Sequence, residues 1–278
     1  MIWLLPSALC SIAIAAILKV NERRGGDRIL LAAANYSVAS LVSFLMLRGD
    51  VFVPSASTMA LGTAAGAGFV LGFLILMAGI SRGPLAVPVT VMRLSVAVPV
   101  VLSIFLWSEE PGAVRYAGLA AGLVSIVLFG AGIREGGRAR RGFWPLMAAM
   151  FLVMGMNDVL LKAFRETSPD SERLAFTFIL FGLAALLTWI LAIFARVRPD
   201  RRTLALGLLL GLPNLFSTVF TLLALRTVPA SIVFPFVNLT VIFGGALAGL
   251  FIWKETLGRL AVAGLAAAGI ALILLPLG

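Results

Sequence analysis

Residues 84–110 read PLAVPVTVMRLSVAVPVVLSIFLWSEE, and residues 229–255 read PASIVFPFVNLTVIFGGALAGLFIWKE. Each stretch starts at a proline, Pro84 or Pro229, and ends at a glutamate, Glu110 or Glu255. Between them runs an apolar segment long enough to cross about 30 Å of hydrocarbon as a helix. The two stretches lie 145 residues apart with no gap, and the same offset carries outward along the chain. Asp27-Arg28 falls on Glu172-Arg173, and Gly62 and Gly66 fall on Gly207 and Gly211; one residue later in register, Gly112 and Gly118 fall on Gly258 and Gly264. Lys19 faces Lys162 at an offset of 143. Matches at the same depth in successive apolar runs predict the duplication of a five-helix unit.

Working outward from these stretches, the apolar runs number ten. They predict helices near residues 2–19, 29–47, 58–80, 84–106, 113–133, 143–163, 174–195, 203–225, 229–252 and 258–276. The composition agrees, with 61% of the 278 residues apolar and 12% charged, against roughly 45 to 50% and about 25% in globular proteins. The expected fold is an all-α polytopic membrane protein. Its first repeat covers residues 1–133, a linker covers 134–142, and the second repeat covers 143–278. Because five is odd, the second repeat enters the membrane in the opposite sense, which makes a 5+5 inverted repeat. That is a transporter architecture, with a substrate site near mid-membrane and alternating access.

Lysine and arginine fix the expected orientation. The linkers after the odd-numbered spans hold fifteen of the 22, the even-numbered ones hold six, and Arg93 lies within a span. The positive-inside rule then places the linkers around Lys19–Arg28, Arg134–Arg141 and Arg196–Arg202 in the cytoplasm and both termini outside. The first run is not read as a signal peptide, since Lys19, Arg23 and Arg24 follow its apolar core instead of preceding it. The net charge of +10 is spread over short linkers, so it points to membrane lipid as a partner and not to nucleic acid.

With no histidine and with Cys10 as the single cysteine, serine-histidine hydrolysis, histidine-ligated metals and thiolate clusters are ruled out. No metal, cofactor or enzyme activity is expected. Gly136-Gly137 lacks the wider glycine pattern of a phosphate-binding loop and reads as linker flexibility. The ridges Gly62/Gly66 and Gly207/Gly211 predict close helix packing, and Gly118/Gly122 either that or a homodimer face.

Together, the two proline-to-glutamate segments, the glycines that follow them, the lysine ending the first span and the 5+5 duplication resemble the EamA-like transporters of the drug/metabolite transporter superfamily. The resemblance covers nearly the whole chain. It implies a bacterial-type inner-membrane secondary transporter of small organic solutes, often an exporter, with no ATPase domain. The first span lacks the embedded glutamate with which the small multidrug-resistance relatives exchange protons for cations, so a cationic drug is not the favoured substrate.

An ionisable residue inside a span costs roughly 2.5 to 3.5 kcal/mol on insertion scales, and therefore needs a partner, a cavity or a function. Arg93 lies near the middle of the fourth span, and its repeat counterpart in the ninth is Asn238. Pro88 and Pro235 are expected to bend those helices beside the polar pair. The expected substrate-binding set is Arg93, Asn238, Asn214, Asn35, Tyr36 and Asn157, although packing glue is an equal reading for the asparagines. Asp158 in the sixth span can carry a proton, neutralise Arg93 or pair with Lys162. Glu110 and Glu255 are expected to close loops or gate access. The function expected is export of a small polar metabolite bearing an anionic group, with a zwitterion, a sugar or a lipid as the other substrates considered.

Overall fold

The structure, a computed structural model, describes residues 2–47, 54–82, 86–132, 141–251 and 258–277. Pro84, Gly136, Gly137, Trp253, Glu255 and most of the linker lie outside the described residues. The described residues form α1 (Leu4–Arg23), α2 (Arg28–Met46), α3 (Ala56–Arg82), α4 (Ala86–Leu94), α5 (Ala97–Trp107), α6 (Ala113–Gly132), α7 (Phe143–Thr167), α8 (Arg173–Phe194), α9 (Arg201–Ala224), α10 (Ala230–Phe251) and α11 (Arg259–Leu277). Eight segments are long and apolar enough to cross a membrane, counting α4 and α5 together as Val87–Trp107, and shorter apolar stretches fall in α6 and α10. The protein is an integral membrane protein, and each of the ten expected spans has a helix.

The fourth span is broken, at a point away from both Pro88 and Pro235. Pro88 is the third residue of α4, where the N–H it lacks has no intrahelical partner to lose. Pro235 sits inside α10 without interrupting it. The break falls instead at Ser95-Val96, four residues before Pro99. Pro99 cannot donate to the Ser95 carbonyl and its ring crowds that group. The Val98 N–H takes over the Ser95 carbonyl at 2.9 Å, and α5 starts again from there.

The helices form two compact units, Met1–Val70 with Leu160–Thr227 and Leu71–Val159 with Val228–Gly278. Each unit draws on both halves of the sequence, because α3 and α7 pass from one into the other. In the first unit α2 packs on α8 and α9, and α1 packs on α9. Small residues make this possible. A Cβ at Gly66 would lie 2.6 Å from the Leu180 carbonyl oxygen, and one at Gly211 would lie 2.7 Å from that of Asn35. Side-chain hydroxyls tie α1 down, with Ser7 Oγ 2.8 Å from Thr221 Oγ1 and Ser11 Oγ 2.7 Å from Ser217 Oγ.

In the second unit α6 packs along α11. Gly118 faces Leu275 of α11 and Gly122 faces Leu239 of α10, so this ridge serves internal packing. Phe143, Met147 and Met150 of α7 form a buried core against which Ile75, Val87, Val91 and Met92 pack. That core seats α4, and with it Arg93.

Two helix starts are capped from far along the chain. Glu109 accepts from the Ala230 and Ser231 N–H groups at 2.8 and 3.0 Å, satisfying the first turn of α10. Ser108, at φ 52°, turns the chain there. The loop-closing carboxylate is therefore Glu109, next to the expected Glu110. Glu172, nearly inaccessible, accepts from the Ser55 N–H at 3.0 Å and from the Ser55 hydroxyl at 2.7 Å, at the start of α3. Replacing Glu172 with glutamine should lower stability by about 1 to 2 kcal/mol, since a charged acceptor at a helix start is replaced by a neutral one. Thermal unfolding in detergent measures this, and an unchanged midpoint would show that the cap contributes nothing.

The expected orientation has its own test. Ser55 is engaged in that cap, whereas Ala56 and Arg141 are exposed. In a Cys10→Ala background on intact cells, an impermeant thiol reagent should label a cysteine at Ala56 and leave one at Arg141 unlabelled. The opposite pattern would reverse the orientation read from the charge count.

Candidate functional site

The expected polar residues gather in two groups, one in each unit. In the first unit Asn214 Nδ2 donates to Asn35 Oδ1 at 3.1 Å, joining α9 to α2. Tyr36 is buried with its ring stacked on Phe181 at a centroid distance of 6.1 Å. Both observations describe interhelical packing, with the amide pair satisfying groups that lipid could not.

The second unit holds the charged group. Arg93 is the last residue but one of α4, immediately before the break, and its Nη1 donates to Asn238 Oδ1 of α10 at 3.0 Å. Asn238 in turn donates through Nδ2 to the Phe234 carbonyl at 3.1 Å, which fixes the amide with its oxygen toward the guanidinium. This pair joins the two positions that the 145-residue offset matched. Among the described residues Arg93 makes no other hydrogen bond, so four of its five N–H donors have no protein acceptor. The side chain is half-buried.

Asp158 completes the group. It acts electrostatically on Arg93 but forms no ion pair with it within 4.0 Å, and it makes no hydrogen bond among the described residues. Lys162, the other candidate partner for Asp158, bonds Glu166 at 2.6 Å. Asn157 is buried beside the line of α3, where a Cβ on Gly72 would lie 3.6 Å from its Nδ2. A half-buried carboxylate and a half-buried guanidinium thus share one electrostatic neighbourhood without neutralising one another directly.

Gly155 is what brings them there, and the sequence reading missed it. A Cβ at Gly155 would lie 2.4 Å from the Val98 Cβ and 2.7 Å from the Ser95 carbonyl oxygen. Only a glycine allows α7 to lie this close to the break between α4 and α5. Asp158 follows three residues later, on the same side of α7 to within about 60°. The signal lay in the sequence as a glycine one turn before an embedded carboxylate, but its partner was a helix break that had not been expected.

Residues 143–276 match the EamA-like transporter family. A protein of Haemophilus influenzae described as an uncharacterized protein is 22% identical over 268 residues, covering 92% of this chain and 91% of its own. A crystal structure titled only as that of a protein superposes with a TM-score of 0.76 at 17% identity, covering 99% of this chain and 96% of the other. That likeness speaks for the fold alone.

Proposed function

The second half of the chain, residues 143–276, belongs to the EamA-like transporter family, and on that premise we propose that this membrane transporter carries a small polar metabolite through its anionic group. Arg93 is the recognising residue. The observation that carries this reading is the Arg93–Asn238 bond within membrane-spanning helices, which aims the guanidinium while leaving four donors unused. A planar guanidinium with paired free donors suits a carboxylate or phosphate, which it can hold with two parallel bonds. Anchoring by Asn238 keeps that fork oriented before the substrate arrives.

The transport mode proposed is secondary, by alternating access, with Asp158 as the chain's own ionisable coupling group. The 5+5 inverted repeat inferred from the 145-residue offset supports this mode, since two related halves can open a site to either side in turn. Export from the cytoplasm across a bacterial-type inner membrane is the direction proposed. The unbonded state of Asp158 favours one further reading, a zwitterionic substrate whose cationic end sits on that carboxylate.

A thermal-shift screen of the purified protein separates these readings, since a ligand that binds the folded form raises its apparent stability. Small carboxylates and phosphate esters should stabilise the wild type. Stabilisation by zwitterions alone would favour the second reading, and stabilisation by cations alone would overturn both.

A further inference from the structure

In the first unit, the end of α1 and the starts of α2 and α9 enclose a pocket of about 470 Å³. Three arginines line it, Arg24, Arg198 and Arg202, and all three are exposed. Among the described residues none of their side chains forms a hydrogen bond or ion pair, whereas nearby Arg28 is bonded to Glu22 at 2.6 Å. Val197 and Leu206 add an apolar part to the wall. The loop between α1 and α2 can follow this wall because Gly25 turns at φ 66° and Gly26 has no Cβ; one there would lie 2.1 Å from Asn21 Oδ1 and 2.8 Å from Thr203 Oγ1.

Two carboxylates also line the pocket, and both are already engaged. Asp27 accepts from the Ile29 and Leu30 N–H groups at 2.8 and 2.9 Å, and Asp200 from the Thr203 N–H and hydroxyl at 2.9 and 2.6 Å. They cap α2 and α9; Arg202 also acts electrostatically on Asp200, but among the described residues neither carboxylate forms an ion pair with the three arginines. Asn21, 2% exposed, braces the loop that forms this wall: its Nδ2 donates to the Gly26 carbonyl at 3.1 Å, and its Oδ1 is packed against Gly26. The pocket therefore offers three guanidiniums with no hydrogen bond or ion pair among the described residues, beside an apolar wall, at the ends of the membrane-spanning helices.

We propose that this pocket binds the headgroup of an anionic phospholipid, with its phosphate on Arg24, Arg198 and Arg202. Basic pockets at the ends of membrane helices recognise such headgroups. Guanidiniums hold phosphate through charge-assisted bonds, and Val197 and Leu206 meet the glycerol and first methylenes of the chains. A lipid seated here would link the start of α9 to the end of α1.

The test is saturable stabilisation of the full-length protein in detergent. Phosphatidylglycerol should raise the melting temperature, and phosphatidylcholine of equal chain length should not. R24Q/R198Q/R202Q should weaken the apparent affinity on the order of 100-fold, from about fivefold per charge. R138Q/R140Q/R141Q removes the same charge from the linker and should keep the response. If the triple pocket variant does not fold, R198Q alone, read by native mass spectrometry, should carry less bound phosphatidylglycerol than the wild type. Equal responses to both lipids, an undiminished response in the pocket variant, or loss of the response in the linker variant would overturn the proposal. So would competition by soluble glycerol 3-phosphate at equal concentration, which would assign the pocket to a free phosphate ester.

Discussion

Gly155→Leu is expected to leave little folded protein in the membrane. Its first side-chain atom already meets Val98 Cβ at 2.4 Å and the Ser95 carbonyl at 2.7 Å, and neither the β-branched neighbour nor the backbone can yield by rotating a flexible tail. Overpacking costs roughly 1 to 3 kcal/mol, and more where backbone must move. Gly211→Leu, which meets the Asn35 carbonyl at 2.7 Å, and Gly66→Leu, which meets that of Leu180 at 2.6 Å, should follow closely. Gly182 meets only Ser40 Oγ, at 3.2 Å, so its leucine variant should be milder. Gly269 has nothing within 4 Å and serves as the control, with an expected gain of a few tenths to about 1 kcal/mol from helix propensity. Yield of monodisperse protein and melting temperature rank the series. Equal losses at Gly155 and Gly269 would remove the close-approach argument.

Arg93 carries the second large effect. Arg93→Met should abolish binding of the anion selected by the screen, and Arg93→Lys should weaken it by at least tenfold while the protein stays folded. Lysine keeps the charge and loses the fork that Asn238 orients, so geometry is separated from sign. Asp158→Asn added to Arg93→Met distinguishes two roles for the carboxylate. If the double variant regains stability that the single one loses, the two side chains form an electrostatic pair; if the losses add, they act independently. Asn238→Leu should resemble Arg93→Lys, because the guanidinium would then lose its anchor.

The length of each apolar run was enough to place the spans, since crossing hydrocarbon is a local requirement of about twenty residues. The internal offset went further, pairing Arg93 with Asn238 before any contact between them was known. What the sequence hid depends on distant partners. The caps on α3 and α10 come from Glu172 and Glu109, more than a hundred residues away, and no local pattern announces a carboxylate that reaches across the fold. Pro99 was readable as a helix breaker, but Pro88 lay closer to Arg93 in the same span and drew the expectation. The asparagines and Tyr36 formed one list by depth alone; packing divides them, with Asn35, Tyr36 and Asn214 in one unit and Asn157, Asp158 and Asn238 in the other.

The most direct test of the central claim is uptake by proteoliposomes of the anion that best stabilises the protein, measured side by side for wild type and Arg93→Met reconstituted at equal density. Saturable uptake by the wild type and only background uptake by the variant is the predicted result. Equal saturable uptake by both would contradict an Arg93-centred anion site.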